Sequence, residues 1–211
     1  MEETTVIYLV RHGETTANVS NVLQGQTDVP LNEQGLKQAA LIGARLREKH
    51  FDFIASSDLS RAAVTAREIA NGREIFYTPL LREWDLGEWV GLTWDQVAEK
   101  FPKEAADFKS GSPDALVSGG ESRRDFHERA GRILNWLITE HAGQEILCVA
   151  HGGVLRAIFQ QISQLPRKAL SVRTDNTCLC CIKYTHKTSS WGLVTWNDIS
   201  HLEGQTLSTG W

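Results

Sequence analysis

Two short apolar runs in this chain each stop at a histidine followed by glycine. Val6 to Val10 leads into Arg11-His12-Gly13, and Ile146 to Ala150 leads into His151-Gly152-Gly153. An imidazole can attack, accept a proton or donate a hydrogen bond, depending on which ring nitrogen is protonated, and its ordinary pKa leaves much of it neutral near pH 7. A third run, Phe51 to Ala55, passes through Ser56-Ser57-Asp58 to Arg61, in the first turn of an expected helix. Basic residues normally favour helix C-termini, so a guanidinium at this end adds to a terminus already suited to an anion. Arginine stays charged and presents a planar fork of donors. Either histidine alone reads equally well as a turn residue. Two histidines with Arg11 and Arg61 point to one anion-binding site with an imidazole able to react.

The apolar runs are short, β-branched and without polar alternation, as expected for strands buried on both faces of a parallel sheet. Ligands bind at the carboxyl ends of such strands, where both histidines fall. Glu14 to Pro30 is polar and turn-rich. Asn32 reads as the N-cap of a helix over 33–49, with Leu36, Ala39, Ala40, Gly43 and Leu46 as its buried stripe. Phe51 to Ala55 is a strand, Leu59 to Ala70 a helix and Glu74 to Tyr77 a strand. Thr93–Phe101 and Lys103–Lys109 read as short helices around Pro102. Ser122 caps a helix to about His141, striped by Phe126, Ala130, Ile133, Leu134, Leu137 and Ile138. A further helix starts at Gly152-Gly153 and ends before Pro166, and Thr177–Tyr184 with Trp191–Trp196 form a closing hairpin. This alternation predicts a three-layer α/β/α fold. One domain over 1–211 is expected, with an excursion at about 84–121 serving as a lid or cap.

The 211 residues suffice for one full core. A net charge of −4 gives no indication of a nucleic-acid partner and makes any anion site a local concentration of cations. Cys148, Cys178, Cys180 and Cys181 lie in strand-like runs without zinc spacing, as expected of buried thiols in a reducing cytoplasm. The first strand begins almost at once, so no signal peptide is expected, and no run is long enough to span a membrane.

Arg11-His12-Gly13-Glu14-Thr15 with Asn18 resembles the signature of the histidine phosphatase superfamily, in its phosphoglycerate-mutase-like branch. Further pieces follow in the family's order: Gln24-Gly25, Pro30-Leu31-Asn32 with Gly35, Ser56 to Arg61, Leu81-Arg82-Glu83, Gly119-Gly120-Glu121-Ser122 and Ala150 to Gly153. The resemblance implies a mostly parallel sheet with one antiparallel strand. It also implies that His12 is phosphorylated on nitrogen, that its other ring nitrogen is held by a hydrogen bond such as one to a backbone carbonyl, that His151 stabilises the transferred group, and that Glu83 is the proton donor. Asp85 and Glu88 are neighbouring rivals for that last role.

The residues suit the displacement of an alcohol from a phosphate monoester, where positioning and electrostatics dominate. Arg11, Arg61, Asn18 and His151 can hold phosphoryl oxygens, and Thr15, Gln24, Gly25, Gly152 and Gly153 complete the candidate phosphate shell. Backbone N–H groups near Gly25 and Gly152 can approach closely. The chain has no Cys-x5-Arg loop and no Asp-x-Asp nucleophile with magnesium ligands, so neither metal nor cofactor is expected. Many relatives have Trp-Glu-Gly where this chain has Trp89-Val90-Gly91; Trp84, Trp89 and Trp94 are expected at an apolar rim or in loop packing.

The function expected is a metal-independent phosphomonoesterase acting on a small phosphorylated metabolite through a phosphohistidine, with α-ribazole phosphatase and phosphoserine phosphatase as narrower forms. A cofactor-dependent phosphoglycerate mutase and a non-catalytic phosphate-binding module are the alternatives. Mutases of the superfamily that this chain resembles carry, after the proton donor, an extra segment with a lysine and an adjacent arginine pair that grip the substrate. Here Lys100, Lys103 and Lys109 are scattered among acids, and Arg123-Arg124 is expected to face solvent. The brief tail after Asp198 argues against a C-terminal lid, although His201 is within sequence reach of the site mouth. The partner expected is a phosphate monoester, with no nucleic acid, no membrane, and a homodimer admitted.

Overall fold

The computed structural model describes residues 3–165 and 170–205. In chain order its regular elements are β1 (Thr4–Arg11), α1 (Thr16–Val19), α2 (Glu33–Arg45), β2 (Phe53–Ser57), α3 (Ser60–Ala70), β3 (Phe76–Thr78), α4 (Trp94–Lys100), α5 (Pro102–Ser110), α6 (Arg123–Glu140), β4 (Glu145–Ala150), α7 (Gly152–Ser163), β5 (Leu179–Thr185) and β6 (Ser190–Asp198). The strands form one sheet in the order β3-β2-β4-β1-β5-β6. β1, β4, β2 and β3 pair in parallel, and β5 runs antiparallel to both β1 and β6. β5 is thus the one reversed strand of an otherwise parallel α/β fold.

Side chains alternate across a strand, and the two faces of the sheet feed two cores. Ile7, Leu9, Ile146, Cys148, Ala150, Cys178 and Cys180 face the core completed by α6 and α7. Val10, Ile54, Leu147 and Val149 face the core completed by α2 and α3. Burial on both faces explains why these strands read as continuous apolar runs. The four cysteines are buried and unpaired. No helix among the described residues is long and apolar enough to cross a membrane.

The helix caps follow the local chemistry. The Asn32 side chain accepts from Gly35 N at 2.7 Å, and Ser122 Oγ accepts from Asp125 N at 3.1 Å. The face that α2 buries differs from the expected one. Gly35, Gln38, Ala39, Ile42 and Gly43 turn inward, while Leu36 is 49% exposed and Ala40 is exposed. The cause is close approach. A Cβ at Gly35 would lie 2.0 Å from the Glu14 carbonyl, and Gln38 Oε1 accepts from Glu14 N at 2.9 Å. Docking this helix onto the loop after β1 outranks burial of Leu36. The helix also stops at Arg45 rather than Lys49.

Arg123 is a second correction. It is buried rather than facing solvent. Its Nη2 donates to Phe108 O at 2.7 Å and its Nε to Ser112 O at 2.9 Å. The guanidinium lies over the rings of Trp84 and Phe108, 5.1 and 4.4 Å from their centroids. It ties α6 to the 84–121 excursion, whose orphan carbonyls it satisfies. Arg124 does reach solvent, paired with Asp114.

Candidate active site

The parallel register of β1 and β4 sets Arg11 beside Ala150, and His12 N donates to Ala150 O at 3.0 Å. The next residue on each strand's path, His12 and His151, therefore meet. Their ring centroids are 5.1 Å apart. His12 Nδ1 lies 2.7 Å from Gly13 O. A carbonyl can only accept, so Nδ1 carries the proton and Nε2 keeps its lone pair. Burial foremost, then Arg61 and Arg11, hold the His12 pKa well below its ordinary range. The ring is neutral and nucleophilic at neutral pH.

His151 is fully buried against His12 and Arg61 and is not among the residues lining the cavity. Its Nδ1 accepts from Arg61 Nε at 3.3 Å, which leaves Nε2–H to donate to Ser57 Oγ at 2.9 Å. Burial, Arg61 and His12 keep its pKa depressed as well. Arg61, from the first turn of α3, also donates to Thr27 O and Gly25 O, both at 2.8 Å. Gly25 thus contributes its carbonyl to the arginine, in addition to lining the cavity. Burial lowers both Arg11 and Arg61 to about 10, so both remain cations in a poorly hydrated site.

Arg11, His12, Asn18, Gln24, Gly25, Arg61, Glu83 and Gly153 line one cavity of about 90 Å³. Thr15 and Gly152 do not. Thr15 Oγ1 shares its one proton between Asn18 Oδ1 at 3.0 Å and Gln24 Oε1 at 3.1 Å and accepts from Asn18 N, so it orients its neighbours. Asn18 Oδ1 also accepts from Thr15 N and Asn176 Nδ2. That network identifies which end of the amide is the donor Nδ2. Gly152 packs against Arg11 and Thr174.

Glu83 is the sole carboxylate among the described residues lining this cavity. Its Oε1 accepts from Trp84 N and its Oε2 from Gly153 N, each at 2.9 Å. The second bond places it at the amino end of α7, and a Cβ on Gly153 would lie 2.1 Å from Oε1. The rivals stand elsewhere: Asp85 Oδ1 is engaged with Gly87 N and Glu88 is exposed. His201 does not reach the cavity either; it lies between Arg45 and Thr177. Trp84 and Trp94 line the apolar wall with Leu86 and Phe108, whereas Trp89 is fully buried against Trp94 and Phe108. The end of the tail, residues 206–211, lies outside the described residues.

Several residues at the site were not singled out from the sequence. The segment entering β5 returns over the β1 end. Thr174 O accepts from Arg11 Nη1, and Asn176 Nδ2 and Thr177 N donate to His12 O at 3.0 and 3.3 Å. Nothing local marks these residues. Arg156 on α7 lines the cavity, donates to Thr174 Oγ1 at 2.9 Å and raises the local positive charge felt by Arg11. Arg129 on α6 binds the loop carrying Glu83. A signal for it existed: it falls three residues after Phe126, in phase with the buried stripe, where a lone charge is out of place.

Comparisons with known proteins place the chain in a family and a fold. The sequence profile of the histidine phosphatase superfamily (branch 1) matches residues 7–199. A metal-independent phosphoserine phosphatase of Arabidopsis thaliana is 38% identical over 206 residues, covering 95% of this chain and 84% of that protein. A phosphoglycerate mutase-like protein of the same plant is 34% identical over 202 residues, covering 93% and 86%. Among solved structures, the α-ribazole phosphatase of Shigella flexneri superposes with a TM-score of 0.81 at 28% identity, covering 92% of this chain and 96% of that one.

Proposed function

The chain belongs to the histidine phosphatase superfamily, and on that premise we propose that it is a metal-independent phosphomonoesterase acting through a phosphohistidine at His12. One observation carries the proposal. A single cavity holds an imidazole whose Nδ1 is tied to a carbonyl together with one carboxylate, Glu83, and the cations Arg11, Arg61 and Arg156.

In this reading the phosphoryl oxygens are held by Arg11, Arg61 and the Asn18 amide. His12 Nε2 attacks phosphorus as the ester P–O bond breaks, and the departing alkoxide takes a proton from the Glu83 carboxyl. Water then gives a proton to Glu83 and its oxygen to phosphorus. The N–P bond breaks, inorganic phosphate leaves and the His12 lone pair is restored. His151 acts through Arg61, whose Nε it accepts, and by remaining a neutral neighbour of His12. The arginines stabilise charge spread over the transferring group without reorganising. The 84–121 excursion serves as the cap, contributing Trp84, Leu86, Trp94 and Phe108 to the wall. We also propose a cytoplasmic site of action, which the four buried, unpaired thiols favour.

The test is a rapid quench with labelled substrate. Label should appear on His12, labile to acid and stable to base, and His12→Ala should lose it together with turnover. Normal turnover by that variant would refute the mechanism.

A further inference from the structure

Resting on the phosphomonoesterase reading, we propose that the alcohol part of the substrate occupies a second cavity beside the phosphoryl site. The substrate class is then a phosphate monoester of a ring-bearing, amphipathic alcohol, with a hydroxyl or carboxylate oxygen that meets Arg156.

The cavity that holds His12 measures about 90 Å³, and its charged end is committed to a phosphoryl group. A neighbouring cavity measures about 280 Å³. The two share Trp84, Phe108, Gly153 and Arg156 in their linings, so the larger space adjoins the phosphoryl site on its Gly153 side. A three-carbon acid would leave that space unfilled.

The lining states the chemistry. Phe126 and Phe159 offer aromatic surface to the second cavity, and His127, Gln160 and Ser163 offer polar atoms. Aromatic walls favour ring faces, and a few placed polar groups fix orientation within an apolar pocket. Arg156 stands where the cavities join. Its Nη1 is oriented by Thr174 Oγ1 at 2.9 Å, and Thr174 O in turn holds Arg11. The residue that reads the alcohol is thereby coupled to one that holds the phosphate. Arg11 and Arg61 serve the phosphoryl oxygens, and Arg123, which also lines the second cavity, is held by the carbonyls of Phe108 and Ser112; Arg156, shared by both linings, is the cation placed for a second oxygen of the substrate.

The experiment compares kcat/KM for ethyl phosphate, phosphoserine and a nucleoside 5′-monophosphate, with p-nitrophenyl phosphate as a reporter of phosphatase chemistry. The nucleotide should exceed both smaller alkyl esters by about tenfold or more, chiefly through KM. Gln160→Trp, which fills the second cavity, should remove about tenfold of that preference by raising KM for the nucleotide. Ser163→Phe serves the same purpose should the first variant melt early. Arg156→Met should lower the preference further. Phosphoserine as the best alkyl ester, or a preference indifferent to Gln160→Trp and Ser163→Phe, overturns the inference alone while p-nitrophenyl phosphate is still hydrolysed. Failure to hydrolyse any of the four esters overturns the phosphomonoesterase reading, and the inference with it.

Discussion

Arg129 Nη2 donates to the main-chain carbonyl of Glu83 at 3.0 Å, while Nη2 and Nε also grip both carboxylate oxygens of Glu121 at 2.7 Å. Its Nη1 donates to the carbonyls of Leu80 and Arg82, and Glu121 Oε2 accepts from Asp85 N at 3.0 Å. One largely buried ion pair therefore fixes the backbone on both sides of Glu83, the proposed proton donor. Arg129→Lys keeps the charge but loses the fork. It should lower kcat for alkyl phosphates by about 10–100-fold, in the range seen when a supporting shell is lost, and spare aryl phosphates, whose leaving groups need little protonation. Equal losses on both substrates would show a general structural role instead.

Gly153→Ala separates activity from stability. The new Cβ would collide with Glu83 Oε1 at 2.1 Å, so the carboxylate must leave its seat on the α7 N-terminus. Turnover of alkyl phosphates should fall by about 100-fold for a displacement on the order of 1 Å. Alanine also favours a helix by about 1 kcal/mol over glycine, so thermal stability should hold or rise. A variant that keeps full activity would remove Glu83 from the donor role.

Glu83→Gln keeps the shape and removes the transferable proton. General acid help is worth about 10²–10⁴-fold. That loss should appear with alkyl leaving groups and shrink with p-nitrophenyl phosphate. A uniform loss would point to positioning alone.

The buried histidines make stability sensitive to acid. His12 and His151 have folded pKa values well below the ordinary 6.5, for which burial is the leading cause. Below that pH the unfolded chain takes up protons that the folded chain refuses. Their contribution is fully present above about pH 6.5 and declines as pH falls through it, by about 1.4 kcal/mol per pH unit for each histidine. Denaturant titrations from about pH 8 to 5 should show the loss, and His151→Gln should flatten it. Identical slopes in the two proteins would contradict neutral burial of His151.

Hydrolysis should outrun phosphoryl return. Among the described residues lining the phosphoryl cavity, no arginine pair grips a carboxylated acid: Arg123 is spent on Phe108 and Ser112, and Lys100, Lys103 and Lys109 are absent from the wall. With 3-phosphoglycerate and a trace of 2,3-bisphosphoglycerate, inorganic phosphate should be the main product, in the presence or absence of a chelator. Rapid formation of 2-phosphoglycerate with little phosphate would identify a mutase.

Much of this protein follows from short-range pattern. Strands buried on both faces must be written as apolar runs, so β1 and β4 are legible, and with them the delivery of His12 and His151 to one sheet edge. Asn32 and Ser122 announce helices because a capping side chain satisfies donors only two or three residues away. Arg61 was conspicuous for the same local reason, as a cation at the wrong end of a helix. The tertiary structure decided what depends on partners distant in sequence. α2 turns Leu36 outward because Gly35 must touch Glu14. Arg123 is buried because the carbonyls of Phe108 and Ser112 lie beneath it. Thr174 and Asn176 reach Arg11 and His12 across more than a hundred residues, by a loop with no periodicity of its own. The proposal of Glu83 over Asp85 and Glu88 draws on the same class of contact, the approach of the α7 N-terminus and the hold of Arg129, which exist only once the layers have packed.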